Sequence, residues 1–447
     1  LGVHFFSHNE VPREFRVPAG KLHRKEVGFP TGGLNQSGHL KHLVESACLA
    51  GARASRPDKP DAAQTHQGDG DNSVAAVQSK VTEELEPKAR KSVFRYILSA
   101  TMALEFGRGL QSGVFNNFVV EVLNITPAQL GFIQGIREVP GLLTAPLAVV
   151  SRFFSESVWA GLCLIATAAG LALHSVTFTF PMLVVATLVY STGFHLFCPV
   201  QQSIVMKASR FEERATRMGQ LNSGGAAASL ASLAVVMLLT RSGAKVGYGW
   251  IHLGAAVSVL LGGLAVLTRR LPGGSKTHIS VNFDRRYMSY YILTLLSGSR
   301  RHITMTFAGY LLVSVYNTPV GTMVLLTALS SVVAIVTRPI IGKVVDEWGE
   351  QRSLVLNYCL VILMFVGYAV FRNVLVLYVV FVLDHGLQGF DVAITTHLGR
   401  VAPKEVLSAA YAMGSTINHV TGVSVPMIGG YLWDITGPAS VFLGGAA

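Results

Sequence analysis

The chain has 447 residues, of which 50% are hydrophobic and only 14% are charged, and its mean hydropathy is +0.46. Soluble domains carry roughly 25% charged residues, so this composition excludes a soluble multidomain protein and predicts a large lipid-facing surface. The net charge of +11 raises the question of nucleic-acid binding. However, the Lys and Arg residues lie in short gaps between apolar runs, as in membrane proteins, and we expect no nucleic-acid partner.

Residues 1–92 differ in composition from the rest of the chain. Stretches such as Ala52 to Asn72 are rich in Ala, Pro, Asp, Gln and Gly, and the segment buries too little apolar area to offset its chain entropy. No uninterrupted apolar stretch of the signal-peptide type occurs near the start. We predict a polar, disordered cytoplasmic tail.

The remaining chain alternates between apolar runs and polar gaps. Each complete run has about 19 to 30 residues, enough to cross a bilayer as a helix, and the runs lack the alternation of a β-barrel. The runs lie at 94–122, 127–149, 157–175, 178–204, 219–240, 247–268, 287–316, 319–341, 353–371, 373–398 and 407–432, with a short one from 438. The pattern predicts an all-α membrane protein, a polytopic bundle of 12 transmembrane helices of which the last is truncated.

The predicted spans fall into two sets of six. We assign the N-terminal six-helix bundle to residues 93–268, a cytoplasmic linker loop to 269–286, and the C-terminal six-helix bundle to 287–447. The gaps on the side of the N-terminus hold far more Lys and Arg than the gaps on the other side, which hold only Arg241, Lys245 and Arg372. By the positive-inside rule, the N-terminus is predicted to be cytoplasmic.

One polar gap carries a family motif. Between the eighth and ninth runs the chain reads Gly342-Lys-Val-Val-Asp346-Glu-Trp-Gly349-Glu-Gln-Arg352, which resembles the cytoplasmic loop motif of the major facilitator superfamily. The resemblance covers residues 94–447 and implies a carrier that works by alternating access. It also implies that the glycines allow close helix approach, while the Asp and the Arg lock a cytoplasmic gate.

The resemblance is weaker in the first half. At the equivalent loop the expected Gly, Asp and Gly are replaced by Leu147, Ser151 and Phe154, and only Arg152 agrees. In the second half Glu347 replaces a residue that is usually basic. The stretches Gly193–Pro199 and Ser297–Arg301 are similar to bacterial members of the superfamily, so we expect the chain to reside in the bacterial inner (plasma) membrane.

Polar side chains within the predicted spans form the candidate site. Ionisable groups at this depth are costly and usually face a cavity or a partner. In the superfamily, helices one, four, seven and ten line the central cavity, and substrate sites lie near the midplane. The substrate-binding or proton-coupling candidates are Glu105, Arg108, Asn117, Arg137, His195, Arg300, Arg301, Asp384, His385, Asn418 and His419.

Two interpretations of these residues stay open. In the functional one, Arg108, Arg300 or Arg301 attracts an anionic solute through its guanidinium fork, and a carboxylate or histidine carries a coupling proton. In the structural one, Glu105 and Arg108 neutralise each other three residues apart on one helix. Arg137 and Glu138 then pair with neighbouring helices.

We therefore predict a secondary active transporter of a small organic solute. Proton coupling is favoured over sodium, and an anionic substrate is slightly favoured. The alternatives are a proton-driven exporter of amphipathic compounds and a non-transporting membrane sensor or assembly protein of the same fold.

No phosphate loop, dinucleotide-binding turn or Cys/His metal spacing is present, so no enzymatic activity, cofactor or metal is predicted. The expected partners are the solute, protons and the lipid bilayer, and the chain is expected to be monomeric.

Overall fold

The computed structural model describes residues 87–144, 150, 153–210, 213–241, 247–268 and 284–447. In this part of the chain all regular secondary structure is helical, as predicted. Most of the predicted tail and linker loop lies outside the described residues, and so do Leu147, Ser151 and Arg152. The first helix begins at Pro87, a few residues before the predicted boundary between the tail and the first bundle.

The helices of the first set follow the predicted runs. They are α1 (Pro87–Glu121), α2 (Pro127–Leu142), α3 (Glu156–Ser175), α4 (Phe180–Ala208), α5 (Arg214–Arg241) and α6 (Tyr248–Leu267). A capping box starts α2: Thr126 accepts a hydrogen bond from the Gln129 backbone, and the Gln129 side chain accepts one from the Thr126 backbone. This pairing satisfies two backbone N–H groups that the helix start leaves without a partner.

The second set contains two interrupted helices. It comprises α7a (Met288–Ile303), a π-helical turn (Thr304–Ala308), α7b (Gly309–Ser314), α8 (Val320–Trp348), α9 (Glu350–Val370), α10a (Val374–Leu387), a 3₁₀ turn (Gln388–Phe390), α10b (Asp391–Val401), α11 (Lys404–Thr436) and α12 (Pro438–Ala446). Predicted runs seven and ten are thus not regular α-helices throughout. Apolar periodicity does not reveal such interruptions, and π-helical turns often mark functional sites.

Seven helical stretches of the described chain are long and apolar enough to cross a membrane. They are α3, α4, most of α5, α6, α8, α9 and the whole of α10a to α10b. Helices such as α1 fall outside this group, and α1 carries Glu105 and Arg108 within its length. The count of twelve spans therefore stays a prediction.

The two helix sets meet close to one face of the molecule. We call the face at which α1 begins the N-terminal face and the other the opposite face. Near the opposite face, Gly131 and Gly430 lie so close to the partner helix that a Cβ on either would overlap the carbonyl oxygen of Pro426 or Pro127. A Cβ on Gly135 would lie 2.7 Å from the Val423 oxygen. This contact between α2 and α11, hereafter the α2–α11 seam, depends on small residues, as in other membrane helix pairs.

Hydrogen bonds join the two sets near the opposite face as well. Asn117 of α1 donates to the carbonyl of Thr318 over 3.0 Å, and Tyr310 of α7b donates to the carbonyl of Ile125 over 2.8 Å. Both accepting carbonyls belong to the short loops at that face. The sets are therefore closed against each other at the opposite face.

Candidate functional site

A polar cavity of about 450 Å³ lies between the two helix sets, on the N-terminal side of these contacts. Its walls come from α1, α4 and α5 on one side and from α8 and α10 on the other. Polar and apolar atoms contribute comparable shares of its surface, and most of the residues that line it are polar: Thr101, Glu105, Gln201, Asn222, Ser229, Thr327, Ser330, Ser331, Arg338, His385 and Gln388. The cavity has the size and the mixed polar lining of a small-molecule site.

Two of the predicted site residues, Glu105 and His385, line this cavity. The His385 Nδ1 atom lies 2.8 Å from the Phe381 carbonyl, which leaves its other nitrogen for a ligand. Arg338 also lines the cavity and was not among the predicted residues. It forms no ion pair among the described residues. Arg338 was missed because it lies close to Pro339 and the predicted end of its span, where a basic residue is ordinary.

The Glu105–Arg108 pair forms as the structural interpretation expected. The Arg108 guanidinium lies 2.8 Å from the Glu105 carboxylate and 4.4 Å from the ring centre of Phe194. Both side chains are partly exposed, so solvent reaches the pair. Arg108 is therefore already held by a carboxylate and an aromatic face, which leaves it less able to attract a solute anion.

The two arginines of α7a share one carboxylate. Arg300 lies 3.3 Å from Asp391 and Arg301 lies 4.0 Å from it, and Arg301 also donates to the side chain of Asn418. Asp391 begins α10b, directly after the 3₁₀ turn. Arg300 is only 4% exposed, and its Nε and Nη1 atoms have no hydrogen-bond partner among the described residues.

Asp384 is the most deeply buried carboxylate of the described chain, with 0% of its surface exposed. Its Oδ2 atom accepts a hydrogen bond from Thr304, the first residue of the π-helical turn, over 2.8 Å. Its Oδ1 atom accepts no hydrogen bond of ordinary length among the described residues, and the buried Tyr368 hydroxyl is a neighbour of the carboxylate. A buried carboxylate without a full set of hydrogen bonds is costly, which makes Asp384 a candidate for a functional role.

A third polar cluster joins α2, α4 and α11. Glu138 of α2 lies 3.1 Å from His419 Nδ1, 3.8 Å from His195 Nε2 and 3.4 Å from Arg137. The Nδ1 atom of His195 faces the carbonyl of Ser191 over 3.0 Å. The sequence singled out both histidines and Arg137, but it treated Glu138 as a structural residue. Glu138 instead occupies the centre of the cluster.

The residues of the gating motif lie at the junction between α8 and α9. Gly349 follows the last residue of α8 with φ of 78°, a conformation that favours glycine, so its place in the motif has a local reason. A Cβ on Gly342 would meet nothing within 4 Å. Among the described residues neither Asp346 nor Arg352 forms an ion pair; instead Glu350 pairs with Arg400 over 2.8 Å. Arg152, the matching residue of the first helix set, lies outside the described residues, so the gate across the two sets stays a prediction.

The last of the predicted site residues, Asn117, lies near the opposite face. It is 1% exposed, and it donates to the Glu121 carboxylate over 2.9 Å in addition to the Thr318 carbonyl. It does not line the cavity. The structure therefore distributes the predicted site residues among one cavity, three polar clusters and the closed face.

Two sets of apolar helices with a polar cavity between them form the architecture of a membrane-embedded transport protein. The chain belongs to the Major Facilitator Superfamily, whose family model matches residues 97–426. It is accordingly an integral membrane protein with the fold of a secondary transporter. Among curated proteins, none matches the chain.

Solved structures with the same fold include two transporters. A mutant form of the nucleoside transporter NupG superposes with a TM-score of 0.68 at 14% identity, covering 79% of this chain and 96% of NupG. A bacterial homologue of the human lysosomal transporter Spinster, in an inward-facing and occupied conformation, gives a TM-score of 0.64 at 12% identity, covering 81% of this chain and 93% of that one. At these identities the likeness concerns the fold alone.

Proposed function

We propose that the protein is a proton-coupled secondary transporter of a small, polar organic anion, and that the substrate binds in the cavity between α1, α4, α5, α8 and α10. The observation that carries this proposal is Arg338, a cavity-lining cation without an ion-pair partner among the described residues. A guanidinium in such a position offers a bidentate site to carboxylate or phosphate. The hydroxyl and amide groups around it supply hydrogen bonds to the remainder of a polar solute.

The polar lining of the cavity also favours an anion carrier over the alternative function, an exporter of amphipathic cations. An exporter of amphipathic cations would favour an apolar cavity with an unpaired carboxylate. Here the cavity carboxylate, Glu105, is paired with Arg108 over 2.8 Å, whereas the cation Arg338 is free to bind a solute. The NupG likeness raises a nucleoside as a neutral candidate substrate, and the experiment below includes one.

Proton coupling is assigned to Asp384. It is buried, its Oδ1 atom accepts no hydrogen bond of ordinary length among the described residues, and it contacts the π-helical turn of α7 through Thr304. Protonation of this carboxyl would alter the hydrogen bond that joins α10a to the interruption in α7. Interrupted helices are points at which a transporter bundle can bend during alternating access. Protonation of Asp384 would therefore be coupled to the position of α7.

The proposed membrane arrangement follows the sequence prediction. We infer twelve helices in two six-helix bundles, an N-terminal face in the cytoplasm of a bacterial cell, and action as a monomer. In this arrangement the cavity lies towards the cytoplasm and the opposite face is closed. The conformation would then correspond to an inward-facing state.

The test is solute binding to the purified full chain, measured by thermal shift with organic acids, sugar phosphates, nucleosides and lipophilic cations. A ligand stabilises the folded form in proportion to ln(1 + [L]/Kd). We expect shifts with anions that disappear in Arg338→Gln and persist in Arg372→Gln, whose arginine is exposed outside the cavity. Shifts with cations alone, or anion shifts equally large in both variants, would contradict the proposal.

A further inference from the structure

The proposed transport function gives no role to the cluster of Glu138, His195 and His419. One ligand atom from each residue falls within 4.8 Å of the other two. The three residues come from α2, α4 and α11 and are far apart in sequence. Spacing along the chain therefore gave no sign of a metal site, although these residue types are the usual nitrogen and oxygen ligands of zinc.

The two distances from the Glu138 carboxylate to the histidine nitrogens are close to those around a tetrahedral ion. Zinc bonds to histidine nitrogen and carboxylate oxygen are about 2.0–2.2 Å long, which places ligand atoms roughly 3.3–3.5 Å apart. The Glu138 Oε2 atom lies 3.1 Å from His419 Nδ1 and 3.8 Å from His195 Nε2. Arg137 lies 3.4 Å from the other carboxylate oxygen, Oε1, so its charge is directed away from the shared oxygen.

The orientation of His195 fits a metal ligand. Its Nδ1 atom lies 3.0 Å from the Ser191 carbonyl and 2.9 Å from the Ser191 hydroxyl. The carbonyl can only accept, and the hydroxyl already donates to the Arg137 carbonyl, so both contacts favour a proton on Nδ1. The Nε2 atom that faces Glu138 is then the one with a free lone pair. Metal-binding histidines generally have such an outer hydrogen bond, which fixes the ring and its tautomer.

Two further observations support a bound ion at this cluster. A Cβ on Gly141 would overlap the His419 ring and lie 2.9 Å from Cδ2 of His195, so a glycine is needed there for the rings to converge. His302 is 5% exposed, and its Nε2 atom has no partner among the described residues. A Cβ on Gly422 would lie 2.7 Å from Glu138 Cγ and 2.9 Å from that Nε2 atom, so His302 offers an unpaired nitrogen beside the cluster.

We propose that Glu138, His195 and His419 bind a divalent transition-metal ion of the zinc type, which bridges α2 and α4 of the first helix set to α11 of the second. The two imidazoles are 13% and 20% exposed, so an ion can reach them from solvent. Bound there, the ion ties the two sets together beside the α2–α11 seam. It thereby stabilises the conformation described here.

The first test is zinc binding to the purified full chain, measured by competition with a chromophoric chelator. We expect one ion per chain, with affinity reduced at least tenfold in Glu138→Gln, His195→Gln and His419→Gln. His397→Gln is the matched control, because His397 belongs to α10b and not to the cluster. No zinc binding by the wild type, or equal binding in all variants, would overturn the proposal.

A second test does not depend on loss of binding. In His419→Cys the thiolate replaces an imidazole, so the protein loaded with Co²⁺ should gain a sulfur-to-metal charge-transfer band in the near ultraviolet. His397→Cys should not gain one. A folded His419→Cys protein without the band would refute the assignment. Both tests measure metal binding rather than flux, so their failure would leave the proposed transport function untouched.

Discussion

Gly131 of α2 faces Pro426 of α11 so closely that a Cβ on the glycine would overlap the proline's carbonyl oxygen. Gly131 and Gly135 are four residues apart and lie on one side of α2, which is the small-residue spacing of close membrane helix pairs. The α2–α11 seam thus joins the two helix sets through backbone contact. A contact of this kind resists enlargement of either side chain.

The first prediction concerns this seam. Gly131→Ala should force the helices apart and destabilise the described conformation by about 1–3 kcal/mol, the usual cost of overpacking. Gly219→Ala is the control, because a Cβ on Gly219 meets nothing within 4 Å. The measurement is the thermal unfolding midpoint in detergent. A Gly131→Ala protein as stable as the control would show that the seam is not closely packed.

The second prediction separates two glycines of the loop motif. Gly349 has φ of 78°, so Gly349→Ala should lower stability by about 1–2 kcal/mol through left-handed strain. Gly342 is helical and has open space around it, so Gly342→Ala should leave stability unchanged or raise it by about 0.5–1 kcal/mol. Thermal unfolding of the two variants side by side decides the matter; equal losses would contradict this account.

The third prediction tests the buried carboxyl. Asp384→Asn keeps the shape of the side chain but removes the exchangeable proton. We expect solute exchange across proteoliposomes to persist while accumulation driven by a pH gradient is lost. Asp284→Asn, a change in a partly exposed residue that precedes the helices of the second set, should retain both activities. Gradient-driven accumulation in Asp384→Asn would exclude this residue as the proton carrier.

The fourth prediction concerns the direction of insertion. With the native cysteines replaced by serine, a single Cys at exposed Arg372 should react with a membrane-impermeant maleimide added to intact cells. A Cys at exposed Arg286 should react only after the membrane is opened. The reverse pattern would place the N-terminal face outside the cell and refute the positive-inside assignment.

The sequence predicted the helices well and the site less well. Runs of apolar residues locate helices because lipid demands them over a defined length, and most boundaries agree within a few residues. The π-helical turn at Thr304–Ala308 escaped prediction, since apolar residues continue through it. Arg338 was passed over because depth was judged from distance to the nearest loop.

Contacts between helices that are distant in the sequence could not be predicted either. The sequence placed His195 and His419 in separate spans and gave no means of seeing that both converge on Glu138. Their meeting depends on Gly141, whose missing side chain leaves the space. In contrast, the Glu105–Arg108 pair was foreseen because both residues belong to one helix, where a separation of three fixes their proximity.

The hydrogen bonds at the opposite face have one further consequence. Asn117 and Tyr310 donate to main-chain carbonyls of the other set, so replacing the accepting residues does not remove these bonds. Each contributes roughly 0.5–1.5 kcal/mol, and both must break before the sets separate there. In the proposed transport cycle, a solute would open this face only if it bound the open form more tightly than the closed form by at least that amount. The two bonds would thus set a minimum binding energy for a transported solute.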